Sequence, residues 1–239
     1  MPARPTALVT GASRGIGRAV ALRLATTHRI LAAARSVDAL VTLAAEIEAA
    51  GGRCEPVPMN VADSAAVAAA LEGRPVDVLV NNAGVGVLKP LLELTPEEWH
   101  EMVDVNLNAL YHVTRGVLPG MVARGRGHVV IVGSIASRSA FVGGAGYAAT
   151  KHAALGFAES LMLEVRDAGV KVSIVNPGSV ATEFSSRDRE QNGGAAAPSG
   201  AQLAAGDVAE AVAYVVGTPP EVLVHRVEVR TLSPKRAAR

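Results

Sequence analysis

Apolar residues along this chain come in short continuous runs, separated by longer stretches with helical spacing. Seven runs rich in β-branched or small apolar residues follow one another as TALVT, RILAAA, EPVPM, VDVLV, HVVIVG, KVSIV and HRVEVRTL. Most are apolar at successive rather than alternate positions, which is typical of strands buried on both faces. The stretches between the early runs, such as SVDALVTLAAEIEAA, repeat apolar residues at helical intervals.

This alternation of strands and helices predicts one fold class. Strand–helix–strand units with right-handed crossovers build a doubly wound parallel sheet. We therefore expect an α/β, single-domain Rossmann-type fold over residues 1–239, with about seven strands in a parallel sheet and helices on both faces. Residues 185–203 depart from the pattern because they are polar, rich in Gly and Ala, and without a period. A segment of this kind is typical of a substrate lid or of a disordered loop.

Composition and charge exclude several classes of function. Hydrophobic residues make up 49% of the 239 positions, which suffices for a packed core and argues against a disordered chain. The formal net charge is +1, so no overall field attracts nucleic acid. Cys54 is the only cysteine and the histidines are scattered, so we expect neither an intrachain disulfide nor a metal site. The apolar runs are too short to span a membrane and the first residues lack a signal-peptide core, so we expect a cytoplasmic protein.

The first strand runs into a glycine-rich turn of a kind that binds phosphate. In TGASRGIG, Gly11, Gly15 and Gly17 leave room where the backbone turns sharply and a ligand approaches. The helix that follows presents free N–H groups and the positive end of its dipole to a pyrophosphate. The spacing is GxxxGxG rather than the commoner GxGxxG. Tight turns between a strand and a helix also use glycine without any ligand, so this loop needs support from other motifs.

A tyrosine and a lysine lie one helical turn apart in GYAATKHAAL. Tyr147 and Lys151 are at positions i and i+4, so they share a face of the predicted helix among alanines. They are either a surface pair, with the lysine stem lying along the protein, or a proton donor beside the charge that tunes it. A free phenol has a pKa of about 10, and a neighbouring cation favours its ionised form. The pair alone leaves both interpretations open.

Six motifs occur together in the order that is typical of one enzyme family. They are TGASRGIG, NNAG at residues 81–84, Asn106, Ser134, the Tyr147/Lys151 pair and PGSVAT at residues 177–182. On these motifs the chain resembles the short-chain dehydrogenase/reductase family from about residue 6 to about residue 182. The resemblance implies an oxidoreductase that transfers a hydride between a nicotinamide coenzyme and a carbonyl or secondary alcohol.

The resemblance assigns catalytic roles to four residues. Tyr147 would be the acid/base that gives a proton to the carbonyl oxygen, and Lys151 would hold the nicotinamide ribose and lower the pKa of the phenol. Ser134 would hydrogen-bond that oxygen where negative charge builds. Asn106 would position a water that links Lys151 to solvent. Taken by itself, Asn106 is also consistent with a polar residue inside a helix that is satisfied by the backbone.

The resemblance also places a coenzyme site at the carboxyl ends of the strands. Where the family often has Asp-Val after the third strand, this chain has Asn60-Val61, whose amide oxygen still accepts a hydrogen bond from the adenine amine. The NPG sequence that borders the nicotinamide is also compatible with a plain turn at the end of a strand. The expected coenzyme-binding residues are Gly11, Ser13, Arg14, Gly15, Ile16, Gly17, Arg35, Asn60, Val61, Asn82, Ala83, Gly84, Tyr147, Lys151, Pro177, Gly178, Val180 and Thr182.

The end of the second strand predicts that the coenzyme is NADP(H) rather than NAD(H). Folds of this type that bind NAD place an acid there to accept from the ribose hydroxyls. Here the corresponding residue is Ala34, which does not repel a 2′-phosphate, and the next residue is Arg35, whose planar guanidinium suits phosphate. Arg14 in the glycine-rich turn reaches the same group from the other side. The alternative is that Arg35 begins a helix and Arg14 points to solvent.

The substrate and the assembly are less sharply defined by the sequence. The ending PPEVLVHRVEVRTLSPKR lacks the Gly-rich close of many carbonyl reductases in the family and resembles the branch that acts on 3-hydroxy acids and assorted alcohols. A 3-oxoacyl-thioester reductase is the nearest alternative, and a dinucleotide sensor without catalysis is a further one. We expect a small-molecule substrate and a homo-oligomer, a tetramer or dimer, because the helix after Tyr147 is more apolar than one sheet face requires.

Overall fold

Seven parallel strands form the sheet in the computed structural model, which describes residues 4–182 and 201–232. The strands are β1 (Thr6–Thr10), β2 (Arg29–Ala34), β3 (Arg53–Pro58), β4 (Val78–Asn81), β5 (Gly127–Val132), β6 (Val170–Pro177) and β7 (Arg226–Val229). Their order across the sheet is β3-β2-β1-β4-β5-β6-β7, and every neighbouring pair is parallel. The order reverses between β1 and β4, which opens a crevice at the carboxyl ends of these two strands. The predicted Rossmann-type sheet is confirmed.

Helices cover both faces of this sheet. They are α1 (Gly15–Leu24), α2 (Val37–Ala49), α3 (Ser64–Leu71), α4 (Pro96–Val103), α5 (Ala109–Ala123), α6 (Ala145–Val165) and α7 (Ala205–Val216). Thr95 begins α4 with a capping box, in which its side chain accepts from the Glu98 N–H and the Glu98 side chain accepts from the Thr95 N–H. Within the part of the chain that the structure describes, no helix is both long enough and apolar enough to cross a membrane.

The apolar strands divide their side chains between two cores. In β1, Ala7 and Val9 pack with α1, α2 and α7, whereas Leu8 between them packs with α3, α5 and α6. Successive side chains of a strand point to opposite faces, so a strand with helices on both sides must be apolar throughout. β7 lies at the edge of the sheet and is only partly buried at alternate positions. The continuous apolar runs therefore mark the central strands, and the alternating run marks the edge.

The long helical stretch that starts at Thr95 is divided by a π turn. Residues Asp104–Asn108 form this turn between α4 and α5. A π turn holds one residue more than an α turn, and such turns are frequent at functional sites. Asn106 lies in the middle of it and is buried. The sequence spacing indicated a helix here but not the extra residue.

Most of the segment predicted to be a lid, residues 185–203, lies outside the described residues. The structure describes its last residues, where Leu203 forms a parallel bridge with Val180. The Ala181 N–H donates to the Leu203 carbonyl at 2.8 Å, and the Leu203 N–H donates to the Ser179 carbonyl at 2.9 Å. Residues 179–181 and Leu203 therefore lie side by side beyond the carboxyl end of β6. The lid itself stays a prediction.

Candidate active site

The glycine-rich turn between β1 and α1 owes its shape to close approach and to positive backbone angles. Gly11 and Gly15 have φ values of +65° and +53°, a region that residues with a side chain rarely adopt. A Cβ on Gly17 would lie 2.2 Å from the Gly11 carbonyl oxygen and 2.4 Å from Asn82 Nδ2. A Cβ on Gly15 would lie 3.4 Å from the Thr182 side chain, so the segment after β6 borders this turn. The loop leaves a concave backbone at the N-terminus of α1, as phosphate binding requires.

Hydrogen bonds from β1 fix the NNAG segment beside this turn. Thr10 Oγ1 donates to the Val80 carbonyl at 3.3 Å and accepts from the N–H groups of Asn82 and Ala83 at 3.0 and 3.1 Å. Asn82 Nδ2 donates to the Thr10 carbonyl at 2.9 Å. These hydrogen bonds tie Asn82 to the end of β1. Thr10 escaped the sequence analysis, although a polar residue that ends an apolar strand was a visible signal.

The adenosine side of the crevice carries the residues expected to select the coenzyme. Ala34 ends β2 and is buried, and Arg35 follows it and is exposed. Arg14 occupies the N-cap of α1 in an extended conformation, with φ −159° and ψ 176°. Asn60 is exposed after β3, and its Oδ1 accepts from the Ala62 N–H at 3.2 Å, which leaves a second lone pair. The structure places all four residues at the carboxyl ends of β1, β2 and β3.

The remaining predicted coenzyme contacts lie along the same edge. Ser13 is half-buried in the glycine-rich turn, and Ile16 packs partly buried against the core of the α1 face. Val61 is buried below Asn60. Pro177 ends β6, and the Gly178 N–H donates to the Val229 carbonyl at 2.8 Å. The NPG turn is therefore tied to the edge strand β7.

Asn106 holds the backbone that follows NNAG. Its Oδ1 accepts from the Val85 N–H at 2.8 Å, and its Nδ2 donates to the Val85 carbonyl at 2.8 Å. Nδ2 also donates to Thr150 Oγ1 at 3.0 Å, and this hydroxyl donates to the Tyr147 carbonyl at 2.8 Å. The alternative of a polar residue inside a helix that the backbone satisfies describes the two contacts with Val85, but not the contact with Thr150. Thr150, between the tyrosine and the lysine, is a further residue that the sequence analysis overlooked.

Lys151 is buried among the residues that the sequence predicts to be catalytic. Its side chain donates from Nζ to the Val132 carbonyl at 3.2 Å, and Nζ lies 5.7 Å from the centre of the Tyr147 ring. A Cβ on Gly84 would lie 3.8 Å from Nζ and 3.3 Å from Asn106 Oδ1. Burial lowers the pKa of Lys151 to about 8. The ammonium therefore persists at neutral pH beside the phenol, and a surface pair is excluded because Lys151 is only 8% exposed.

Ser134 is oriented by the turn that follows β5. Its Oγ accepts a hydrogen bond from the Ala136 N–H at 3.1 Å. Because this lone pair is used by the backbone, the hydroxyl proton is directed away from Ala136 and is available to an acceptor in the crevice. The turn packs against the start of α6, which carries Tyr147. Asn106 from the π turn, Ser134 from the turn after β5, and Tyr147 and Lys151 from α6 thus lie at the same end of the sheet.

Comparison with known proteins agrees with this geometry. The family model for short chain dehydrogenases matches residues 5–193. The chain belongs to the short chain dehydrogenase family. The resemblance stated from the motifs is therefore confirmed, as is the expectation of an oxidoreductase that acts on hydroxyl and carbonyl groups.

Curated members of the family are similar over most of the chain. The NADP-dependent 3-hydroxy acid dehydrogenase YdfG of Salmonella typhimurium is 34% identical over 233 residues, which cover 93% of each chain. The 3-oxoacyl-[acyl-carrier-protein] reductase FabG of Escherichia coli is 34% identical over 218 residues, which cover 87% of this chain and 88% of that protein. Two substrate types are thus represented at the same level of identity.

Solved structures of family members share the fold. A metagenomic short-chain oxidoreductase in complex with NADP superposes with a TM-score of 0.83 at 35% identity, covering 97% of this chain and 99% of the other. An alcohol dehydrogenase from Thermococcus sibiricus complexed with 5-hydroxy-NADP superposes with a TM-score of 0.87 at 31% identity, covering 98% and 100%.

Proposed function

We propose that the protein is an NADP(H)-dependent oxidoreductase that interconverts a carbonyl compound and a secondary alcohol. The observation that carries this proposal is the buried Lys151 ammonium beside the Tyr147 ring, with Ser134 and Asn106 at the same edge of the sheet. A buried cation beside a phenol favours the phenolate, which is the arrangement that a proton-transfer tyrosine needs. A dinucleotide sensor has no use for this pair.

The crevice fits a dinucleotide coenzyme. Positive φ angles at Gly11 and Gly15 and the missing side chain of Gly17 leave a backbone cradle at the N-terminus of α1 that suits a pyrophosphate. Arg14 and Arg35 would hold the 2′-phosphate, with Ala34 placing no acid near it. When bound, the coenzyme supplies the hydride that reduces the carbonyl carbon. NADP in complex with related structures supports the same choice.

The chain's own residues manage the proton and the carbonyl oxygen. Ser134 donates a hydrogen bond to the oxygen on which negative charge develops. Tyr147 gives its phenolic proton to that oxygen, and in the oxidative direction the phenolate removes the hydroxyl proton. Lys151 stabilises the phenolate and donates to the nicotinamide ribose, and Asn106 keeps Val85 and Thr150 in place around it. We assign to Asn106 the further task of holding a water next to Lys151.

We propose a 3-hydroxy acid or a small alcohol as the substrate. Support comes from the similarity to the 3-hydroxy acid dehydrogenase and from the ending of the chain, which resembles that branch. The alternative is a 3-oxoacyl-thioester, which the equal identity to the Escherichia coli reductase favours. NADPH oxidation measured with 3-oxoacids, small ketones, aldehydes and an acyl-carrier-protein thioester separates the two classes by their kcat/KM values.

Removing the phenolic hydroxyl tests the mechanism. Tyr147→Phe is expected to lower kcat by at least about a thousandfold, because the acid/base proton is lost. The affinity for NADPH, measured by its fluorescence on binding, is expected to change by less than about twofold, since the ring and Lys151 remain. Near-normal turnover in this variant would remove Tyr147 from the mechanism.

Exchanging the residues at the end of β2 tests the coenzyme. The wild-type protein is expected to prefer NADPH to NADH by at least about tenfold in kcat/KM, or about 1.4 kcal/mol. Ala34→Asp combined with Arg35→Ser is expected to move that ratio towards NADH, because a carboxylate repels the phosphate and accepts from the ribose hydroxyls. An unchanged ratio in the double variant would show that this stretch does not read the phosphate.

The proposal includes a cytoplasmic homo-oligomer, a tetramer or a dimer. Its support is the exposed apolar surface on the two helices next to the site, where Tyr111 of α5 is 56% exposed and Leu163 of α6 is 57% exposed. Pairing about a two-fold axis would cover the same patch on both subunits. Light scattering is expected to give a mass of at least twice that of the chain. A monomer at micromolar concentration would contradict this part of the proposal.

A further inference from the structure

We propose that Asn176 is a positioning residue for the catalytic serine, an inference that rests on the role proposed for Ser134. Asn176 is the penultimate residue of β6 and is 1% exposed. Its Oδ1 accepts a hydrogen bond from the Ser134 N–H at 3.1 Å. β5 and β6 are neighbours in the sheet, so this amide reaches across the ends of two strands. It fixes the backbone of Ser134 from the side on which the NPG turn begins.

Gly133 makes room for this amide. A Cβ on Gly133 would lie 2.2 Å from Asn176 Oδ1 and 2.9 Å from Ile174 Cδ1. Gly133 is not among the described glycines with positive φ, and its N–H donates to the Val175 carbonyl at 2.8 Å, as in a regular strand. The backbone therefore does not demand a glycine here. A glycine is needed here because Asn176 occupies the space that a side chain would take.

The other half of the amide shows that packing does not explain this asparagine. Among the described residues, Asn176 Nδ2 is buried and has no hydrogen-bond partner. A buried donor without a partner destabilises a fold, and the two residues that precede Asn176 in the strand, Ile174 and Val175, are buried and apolar. An apolar residue would therefore suit the core better. The oxygen is the part of the side chain that makes a contact, and that contact is with Ser134.

The hydrogen bond has a consequence for the chemistry. The Ser134 N–H is shared between Asn176 Oδ1 and Ser137 Oγ, the latter at 3.3 Å, while Ser134 Oγ accepts from Ala136. These contacts together set where the serine hydroxyl points. A donor aimed at developing negative charge loses most of its value when it moves by about 1 Å. Loss of the Asn176 oxygen should thus slow the chemical step and leave coenzyme binding intact.

A double-mutant cycle tests whether Asn176 acts through Ser134. The four proteins are the wild type, Asn176→Ala, Ser134→Ala and the double variant, assayed with NADPH and ethyl 3-oxobutanoate or the best substrate of the panel. Asn176→Ala is expected to lower kcat by about tenfold or more, with the affinity for NADPH within about twofold of wild type. Ser134→Ala is expected to lower kcat by about a hundredfold. The double variant should match Ser134→Ala within about twofold, because the serine that Asn176 positions is gone.

Two outcomes would overturn the inference, and a third concerns the function instead. If Asn176→Ala keeps the wild-type kcat, or if the double variant shows the product of the two losses, Asn176 does not act through the serine. If the wild type shows no NADPH-dependent reduction of any panel substrate, or Ser134→Ala is fully active, the proposed function or the role of Ser134 fails on its own.

Two further variants separate positioning from folding. Ser173→Ala removes another buried polar side chain from the middle of the same strand and is expected to leave kcat unchanged. If Asn176→Ala does not fold, Ser137→Ala removes the second acceptor of the Ser134 N–H with the loss of one oxygen atom. That variant is expected to lower kcat by about threefold, and by nothing further in the Ser134→Ala background. A wild-type kcat in a folded Ser137→Ala variant, or a further loss in that background, would contradict the inference.

Discussion

Two lysines at opposite ends of the parallel strands differ in their hydrogen-bond partners. Lys171, near the start of β6, donates from Nζ to the carbonyl oxygens of Thr218, Pro219 and Val222 and to Thr218 Oγ1, at 2.9 to 3.4 Å. Within residues 4–182 and 201–232, the structure gives Lys151 Nζ a single acceptor, the Val132 carbonyl. An ammonium has three N–H donors. The N–H donors of Lys171 are all used by acceptors in the segment 218–222, whereas Lys151 has donors left for a ligand.

The surroundings of the two lysines differ in the same way. Near Lys171, Ser173 Oγ donates to the Val224 carbonyl at 2.6 Å and lies 2.8 Å from His128 Nε2. Since the serine proton is directed at Val224, His128 Nε2 carries a proton and donates it to Ser173. The His225 ring contacts the Val172 carbonyl through Nδ1 at 3.0 Å. These hydrogen bonds tie the segment before β7 to the part of the sheet nearer the amino ends of the strands. The residues around Lys151 instead line the crevice at the carboxyl ends.

Removing each lysine in turn gives the largest expected difference. Lys151→Ala is expected to lower kcat/KM by about a thousandfold and to weaken NADPH binding by about tenfold, because one cation serves the phenol and the ribose. Lys171→Ala is expected to keep kcat/KM within about twofold and to lower the free energy of unfolding by about 1–3 kcal/mol, since it leaves carbonyl groups unpaired. Steady-state kinetics and urea unfolding measure both. Unchanged coenzyme affinity in Lys151→Ala would end the comparison.

Lowering the pH is expected to lower the free energy of unfolding through protonation of His128. Burial, with a smaller contribution from the Lys171 charge, lowers the pKa of this histidine to about 3. The unfolded chain takes up the proton near pH 6.5, before the folded one does, so the stability is complete above pH 6.5 and falls as the pH drops towards 3. Between pH 7 and pH 5 the free energy of unfolding should fall by about 2 kcal/mol from this group.

His128→Gln isolates that contribution, because the amide still donates to Ser173 and does not titrate in this range. The loss between pH 7 and pH 5 is expected to shrink by about 2 kcal/mol relative to wild type in urea unfolding. His152→Gln, which alters an exposed histidine on α6, is the matched control and should follow the wild-type curve. Equal acid sensitivity in wild type and His128→Gln would show that this cluster tolerates a charge.

The smallest expected effect sharpens the contrast between structural and catalytic serines. Ser173→Ala removes the hydroxyl that joins His128 to Val224, and it is expected to lower the free energy of unfolding by about 1–2 kcal/mol without a change in kcat. Ser134→Ala is expected to lower kcat without a change in the free energy of unfolding. Slower turnover in Ser173→Ala would show that the hydrogen bonds around His128 also affect the site.

The sequence predicted the sheet well because burial on two faces leaves a simple signature. RILAAA corresponds to β2, and the continuous apolar runs identified the strands that helices cover from both sides. The residues that we propose as catalytic were identified by their resemblance to a family rather than by spacing alone. Tyr147 and Lys151 sit one turn apart by sequence, but the burial that lowers the lysine pKa arises only from packing.

Contacts between distant segments escaped the sequence. Thr10 bonds to residues about seventy positions away, and Asn176 reaches Ser134 across two strand ends. No local pattern encodes either contact, because each depends on the register of neighbouring parallel strands. Gly133 gave a partial signal, as a glycine at the end of an apolar strand, but its reason was visible only once the asparagine had been placed.

The π turn at Asp104–Asn108 has a consequence for how the length of this chain can change. A π turn holds one residue more than a turn of α-helix, so removing one residue, such as Leu107, would let α4 and α5 join in a regular α-helix. α5 would keep its contacts with β4 and β5, and α4 would keep its contacts with α6, so the fold is expected to tolerate the deletion. Asn106 would lose its hydrogen bonds to Val85, because its side chain would rotate away by about 100°. A deletion of one position here is therefore expected to keep the architecture and to lower turnover, because Asn106 loses its contact with Val85.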